Sequence, residues 1–151
     1  AERVPELWPS VVTAGWSDKL VGARKFEVFG QRDDPRIAGF EAAIDFLMLL
    51  DMKAVEARML YLASYLKKGL SGVGAVEFRT NLEPELSGGV VKFSIKGGRS
   101  KAVYDALYEK YKVAGAITAS GDVEGIRLCP HVYNTTAQLD EVVSAVRKLS
   151  A

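Results

Sequence analysis

The sequence is short of several things, and each shortage excludes a class of protein. One cysteine, Cys129, stands in 151 residues, so no intramolecular disulfide can staple the chain. The only histidine, His131, lies two positions further on, and two soft ligands do not make a structural zinc site, so no metal is expected. Charge of one sign is lacking too. Lys and Arg number 20 against 19 Asp and Glu, a net +1, without the basic surplus of a nucleic-acid binder. No apolar run approaches the roughly 18 residues of a membrane span. The opening Ala1-Glu2-Arg3-Val4-Pro5 has neither a signal-peptide core nor an initiator Met, and reads as the start of a processed or truncated product. No G-x-G-x-x-G or G-x-x-x-x-G-K-[ST] loop offers a nucleotide cradle. Cysteine scarcity permits a reducing compartment, and a cytoplasmic location is expected.

What is present is ordinary globular material, 48% hydrophobic and 26% charged, in a length that suits one domain with its own core. Residues 1–24 hold Trp8 and Trp16, two prolines and the run Val11-Val12-Thr13-Ala14, without sustained periodicity. They read as an extended arm with one short strand, packing against something outside the segment because exposed tryptophan is costly. Asp34-Pro35 then announces a helix over 35–50, capped by Asp34, with Ile37, Phe40, Ile44, Leu47 and Met48 at helical spacing. A second helix, 53–68, carries Val55, Met59, Leu62 and Leu66 on one face and ends at Lys67-Lys68-Gly69.

The period then drops to two. Val76–Thr80 and Val91–Ile95 alternate as strands, a helix from Ser100 buries Val103, Leu107 and Tyr111, and strands follow at 113–119 and 125–129. Thr135-x-x-Gln138 has capping-box spacing and opens a last helix striped by Leu139, Val142, Val143, Val146 and Leu149. The order α-α-β-β-α-β-β-α predicts an α+β two-layer sandwich, a small, mostly antiparallel sheet of about four strands covered on one face by helices.

Two stretches exceed core-and-surface patterning. Lys25-Phe26-Glu27-Val28-Phe29-Gly30-Gln31-Arg32-Asp33-Asp34 precedes a helix N-terminus, a setting suited to an anion and equally to a loop whose aspartates serve the cap. Gly125-Ile126-Arg127-Leu128-Cys129-Pro130-His131-Val132-Tyr133-Asn134-Thr135 puts Ile126 and Leu128 on one strand face and Arg127 on the other. Arg127 is then either a solvent-facing strand arginine or a planar fork for a carboxylate. Cys129 and His131 share a strand face but lack a third, orienting group at recognisable spacing. Asn134-Thr135-Thr136 fits the glycosylation sequon, yet without a secretion signal it reads as helix-capping chemistry. Tyr104, Tyr108 and Tyr111 form a helical stripe of core or interface type.

Taken together, Phe26-Glu27-x-x-Gly30-Gln31-Arg32-Asp33 leading into Ala42-Ala43-Ile44-Asp45-Phe46-Leu47, and Arg127-Leu128-Cys129-Pro130-His131-Val132-Tyr133-Asn134-Thr135, resemble the C-terminal part of class V aminotransferase-family enzymes. These are pyridoxal-phosphate (PLP) enzymes of fold type I. The first motif resembles epimerase-type members, the second the cysteine desulfurase and selenocysteine lyase relatives. The resemblance implies that Arg127 holds the α-carboxylate of an amino-acid substrate. It implies that Gly30 and Gln31, with Arg32, reach the cofactor phosphate of the neighbouring subunit of a homodimer. Gln31 replaces the family's Thr and Cys129 its Ser, while His131 and Asn134 match positions that shape the site wall and start the last helix. No lysine here has the context of the family's Schiff-base lysine, which sits in a large, N-terminal PLP-binding domain. The expected assignment is therefore residues 1–24 as a connector belonging with that large domain, and 25–151 as the small domain. No catalytic residue is expected in this chain, and alone it should be inactive.

Two other classes fit the residues less fully. A non-enzymatic regulatory or partner-binding module suits the size and charge but gives neither motif a task. A Cys129/His131 hydrolase or transferase requires an activated thiol.

Overall fold

A computed structural model of the chain describes residues 3–8, 22–27, 32–118 and 124–151. Much of the expected arm, including the apolar run at 11–14 and Trp16, lies outside the described residues. The chain divides into two units, Ala1–Phe46 and Leu47–Ala151.

In the first unit, short 3-10 turns at Val4–Glu6 and Gly22–Phe26 are tied by Lys25, whose Nζ donates to the Pro5 carbonyl at 3.2 Å. Helix α1, Asp34–Leu49, begins in this unit. Its cap is one residue earlier than expected. The Asp33 carboxylate, not that of Asp34, accepts from the Arg36 amide at 3.3 Å, and the Asp33 carbonyl accepts from the Arg36 and Ile37 amides. The expected apolar stripe also fails to bury. No side chain of α1 is buried, with Phe40 69% and Met48 64% exposed, and Phe46 and Leu49 spread apolar surface beyond the stripe.

The second unit contains the sandwich. Helix α2, Met52–Ser71, starts at Asp51, whose side chain accepts from the Lys53 amide at 3.1 Å. It buries Val55, Leu62, Ala63, Leu66 and Leu70 at the helical spacing read from the sequence. It does not stop at Gly69. The helix runs on to a Gly72 cap, and Gly69 is a packing position, where a Cβ would lie 2.7 Å from Val143 Cγ2 of the last helix.

Strands β1 (Val76–Phe78), β2 (Val91–Ile95), β3 (Ala116–Thr118) and β4 (Gly125–Leu128) form one antiparallel sheet in the order β1-β2-β4-β3. Helix α3, Ser100–Tyr111, lies between β2 and β3 in sequence, and α4, Thr136–Ser150, follows β4. Helices α2 and α3 pack on the sheet, and α4 packs on both. One core joins Leu62, Leu66, Phe93, Leu107, Ile126 and Val146. Each such burial removes about 1.5–3 kcal/mol of apolar exposure cost. Tyr111, expected inside, is 40% exposed at the C-terminal end of α3. The architecture is the predicted α+β sandwich, with every strand pair antiparallel and α2, α3 and α4 supplying the helical layer.

Candidate functional site on the outer face of the sheet

Ile126 and Leu128 of β4 are buried in the core, so pleating sends Arg127 to the opposite face, where it is exposed. β4 is an inner strand, held by β2 on one side and β3 on the other, which fixes the backbone from which Arg127 projects. Its register partners are Lys92 on β2 and Ala116 on β3. Two glycines allow these strands to close up. A Cβ on Gly125 would fall 2.6 Å from the Phe93 carbonyl oxygen, and one on Gly115 would fall 2.7 Å from that of Arg127. The guanidinium has no hydrogen-bond or ion-pair partner among the described residues. Lys92 Nζ donates to Thr118 Oγ1 at 3.3 Å, so Lys92, Thr118 and Arg127 share this face.

Beyond β4, a tight turn carries the chain into α4. The His131 amide donates to Asn134 Oδ1 at 2.9 Å and the Asn134 amide returns to the His131 carbonyl at 2.9 Å. Asn134 Nδ2 also reaches Gln138 Oε1 at 3.3 Å. Thr135 and Gln138 close the capping box that their spacing predicts. From α2, Arg58 Nη2 donates to the Asn134 carbonyl at 2.9 Å, pinning the turn to the helical layer. Asn134 thus shapes the turn at the start of α4. The His131 ring stacks on Tyr133 at 5.2 Å between centroids, and its Nδ1 is buried without a partner.

Cys129 is exposed and lines an open groove of about 400 Å³ with Tyr111, Lys112, Tyr133 and Glu141. No hydrogen bond joins Cys129 to His131, so the thiol–imidazole pair needed for nucleophilic catalysis is not assembled. Arg32 is exposed, with Nη2 donating to the Glu27 carbonyl at 2.8 Å. Gly30 and Gln31 lie outside the described residues. The structure therefore brings Arg127 together with Lys92 and Thr118, and places His131 and Asn134 in the turn after β4. Lys92 was missed by the sequence reading. Its alternation within Val91–Ile95 marked the face, but its neighbour depends on strand order, which no local pattern carries.

Among the described residues no helix is long and apolar enough to cross a membrane. The same residues contain no cluster of three or more His, Cys, Asp or Glu side chains able to hold a metal ion.

Comparison with known folds identifies the class. The chain superimposes on an apo cysteine desulfurase from Thermococcus onnurineus NA1 with a TM-score of 0.80 at 17% identity, covering 99% of this chain and 41% of that one. It superimposes on the cystine C–S lyase C-DES, solved with its product cysteine persulfide, with a TM-score of 0.73 at 19% identity, covering 91% and 34%. The fold is that of part of a fold-type I PLP protein. At the sequence level, the aminotransferase class-V family profile matches residues 25–142, and the chain belongs to that family. Similar curated proteins are isopenicillin N epimerases. That of Amycolatopsis lactamdurans is 29% identical over 90% of this chain and 34% of its own length, and that of Streptomyces clavuligerus 26% identical over 85% and 33%. The chain thus spans about a third of the length of the curated relatives it matches.

Proposed function

We propose that this chain is the C-terminal small domain of a PLP-dependent, class V aminotransferase-like enzyme acting on an amino acid. In this reading Arg127 orients the substrate by its α-carboxylate. The observation that carries it is the exposed Arg127 guanidinium, unpartnered among the described residues, on an inner strand of a class V family fold. A planar fork with free N–H groups matches the two oxygens of a carboxylate, and the pair gains from being charge-assisted. Holding the acid group fixes the reacting carbon relative to the rest of the site, where orientation lowers the barrier.

PLP, when bound, supplies an electron sink for breaking a bond beside the substrate amino group. The residues present fit an anion. Arg32 is exposed, with Nη2 donating to the Glu27 carbonyl and no other partner among the described residues, so its remaining N–H groups suit a phosphate oxygen of a neighbouring subunit, a role the family resemblance extends to Gly30 and Gln31. His131 and Asn134 form the wall where β4 turns into α4. The lysine that carries the cofactor belongs to a large domain, so the segment is inactive by itself. Whether the bond change is transamination, elimination or epimerisation is set by groups of that domain. The assembled enzyme is a homodimer in this reading.

The test is Arg127→Ala in the enzyme that carries this domain, with amino-acid binding followed through the cofactor's absorbance. Substrate affinity should drop by about tenfold or more, the weight of a lost charge-assisted hydrogen-bonded pair, with cofactor content unchanged. Loss of cofactor with unchanged substrate affinity would place Arg127 at the phosphate and refute the assignment.

A further inference from the structure

Lys92 and Arg127 are direct cross-strand partners in antiparallel β2 and β4. In such a ladder, residues alternate between pairs that exchange backbone hydrogen bonds and closer pairs that do not, the latter with Cα atoms about 4.5 Å apart. The Lys92 backbone settles which kind this is. Its carbonyl accepts from the Arg79 amide at 2.8 Å and its amide donates to Thr80 Oγ1 at 2.7 Å, so both groups turn toward the β1 side and away from β4. Lys92 and Arg127 are therefore a non-hydrogen-bonded pair, the arrangement that sets side chains closest. Arg79, exposed and just past the end of β1, is the residue whose amide meets the Lys92 carbonyl there.

Like charges directly opposed on a sheet destabilise it. No ion pair among the described residues offsets them. The ion pairs among the described residues are Arg3–Glu6, Asp33–Arg36 and Lys101–Asp105, none of them on the sheet. The nearest strand carboxylate, Glu77, stands opposite Ser94, two residues along from Lys92. Lys92 Nζ uses one of its three donors on Thr118 and keeps the others. A close cation pair left uncompensated at this place has a use if an anion with more than one negative charge lies across it.

We propose that Lys92 is a specificity-determining residue that, with Arg127, selects an amino-acid substrate bearing a second acid group. This rests on the assignment of Arg127 to the α-carboxylate. Arg127 takes that carboxylate, and the Lys92 ammonium, oriented by Thr118, takes the acid group of the substrate side chain. A monocarboxylic amino acid would leave the Lys92 charge unmet beside Arg127, and a dicarboxylic one meets both. The recognition is electrostatic and is weakened by salt.

The test is an NMR titration of the 151-residue chain with acetate and with glutarate at matched ionic strength, in the native sequence and in Lys92→Met, Lys92→Arg and Arg127→Met. Glutarate should bind about fivefold more tightly than acetate, the scale of one added exposed ion pair. Lys92→Met should erase that preference while acetate binding persists, Lys92→Arg should keep it, and Arg127→Met should weaken both ligands. A glutarate preference that is absent, or that survives in Lys92→Met, refutes the role of Lys92 alone. Acetate binding that is undetectable, or indifferent to Arg127→Met, refutes the underlying Arg127 assignment and this inference with it. Lys92→Met should also raise the urea midpoint, because it removes the opposed charge, and a lower midpoint with an altered backbone spectrum makes Lys92→Gln the variant to read.

Discussion

The proposed grip of Arg127 on a carboxylate needs a closely held backbone, and its strand neighbours supply one. Gly115 and Gly125 let the strands approach to distances that a methyl group would violate, at the Arg127 and Phe93 carbonyls respectively. Gly115→Ala should therefore cost about 1–3 kcal/mol in urea unfolding, as overpacking does. It should also weaken carboxylate binding, although the new methyl group touches no ligand. Unchanged stability and binding would mean that β4 is not held closely against its neighbours. The outward aim of Arg127 was legible in the sequence because Ile126 and Leu128 on either side are apolar. The role of Gly69 was not: a glycine after two lysines has the signature of a helix end, and only the approach of Val143 from α4 shows that it serves close packing.

Elements were legible where local chemistry decides them. The Thr135–Gln138 box sits where its spacing places it, and β2 runs over Val91–Ile95 as the alternation indicates. Thr135→Ala should cost about 1 kcal/mol of stability, the usual loss of an N-cap side chain, and a loss within error would show the cap to be idle. α1 is the opposite case. Its periodicity gave the helix but not its burial, because burial depends on what lies beside a helix and not on its own spacing. Between α2 and α4, Tyr65 donates its hydroxyl hydrogen bond to Asp140 Oδ1 at 2.9 Å. That bond first, then burial and the Asp140 and Tyr61 charges, raise the phenol pKa above 10.0. The folded state then holds this proton more tightly than the unfolded state. Its contribution is complete below pH 10 and is lost as pH climbs through the folded-state value. Urea midpoints between about pH 9 and 11 should fall more steeply for the native chain than for Tyr65→Phe, and parallel curves would contradict the tie.

For the whole molecule, the single core of the Leu47–Ala151 unit predicts a large penalty at its centre. Phe93→Ala should destabilise by about 3–5 kcal/mol, measured by urea unfolding, and a loss under about 1 kcal/mol would mean that the sheet and helices do not share one core. Fold class and element order were readable from the sequence because each element carries its own period. Strand order, and with it the Lys92–Arg127 pairing, was not, because it is set by long-range packing. The proposed division of labour, with the cofactor's lysine on a large domain, predicts that PLP mixed with this chain and reduced with borohydride marks no single lysine. One specifically modified lysine would contradict that division. The most direct measurement of the central claim is a crystal structure of the enzyme that carries this domain, with its amino-acid substrate bound. The substrate's α-carboxylate should lie within about 2.7–2.9 Å of the Arg127 guanidinium nitrogens. A carboxylate seated on other residues, with Arg127 left in solvent, would contradict the claim.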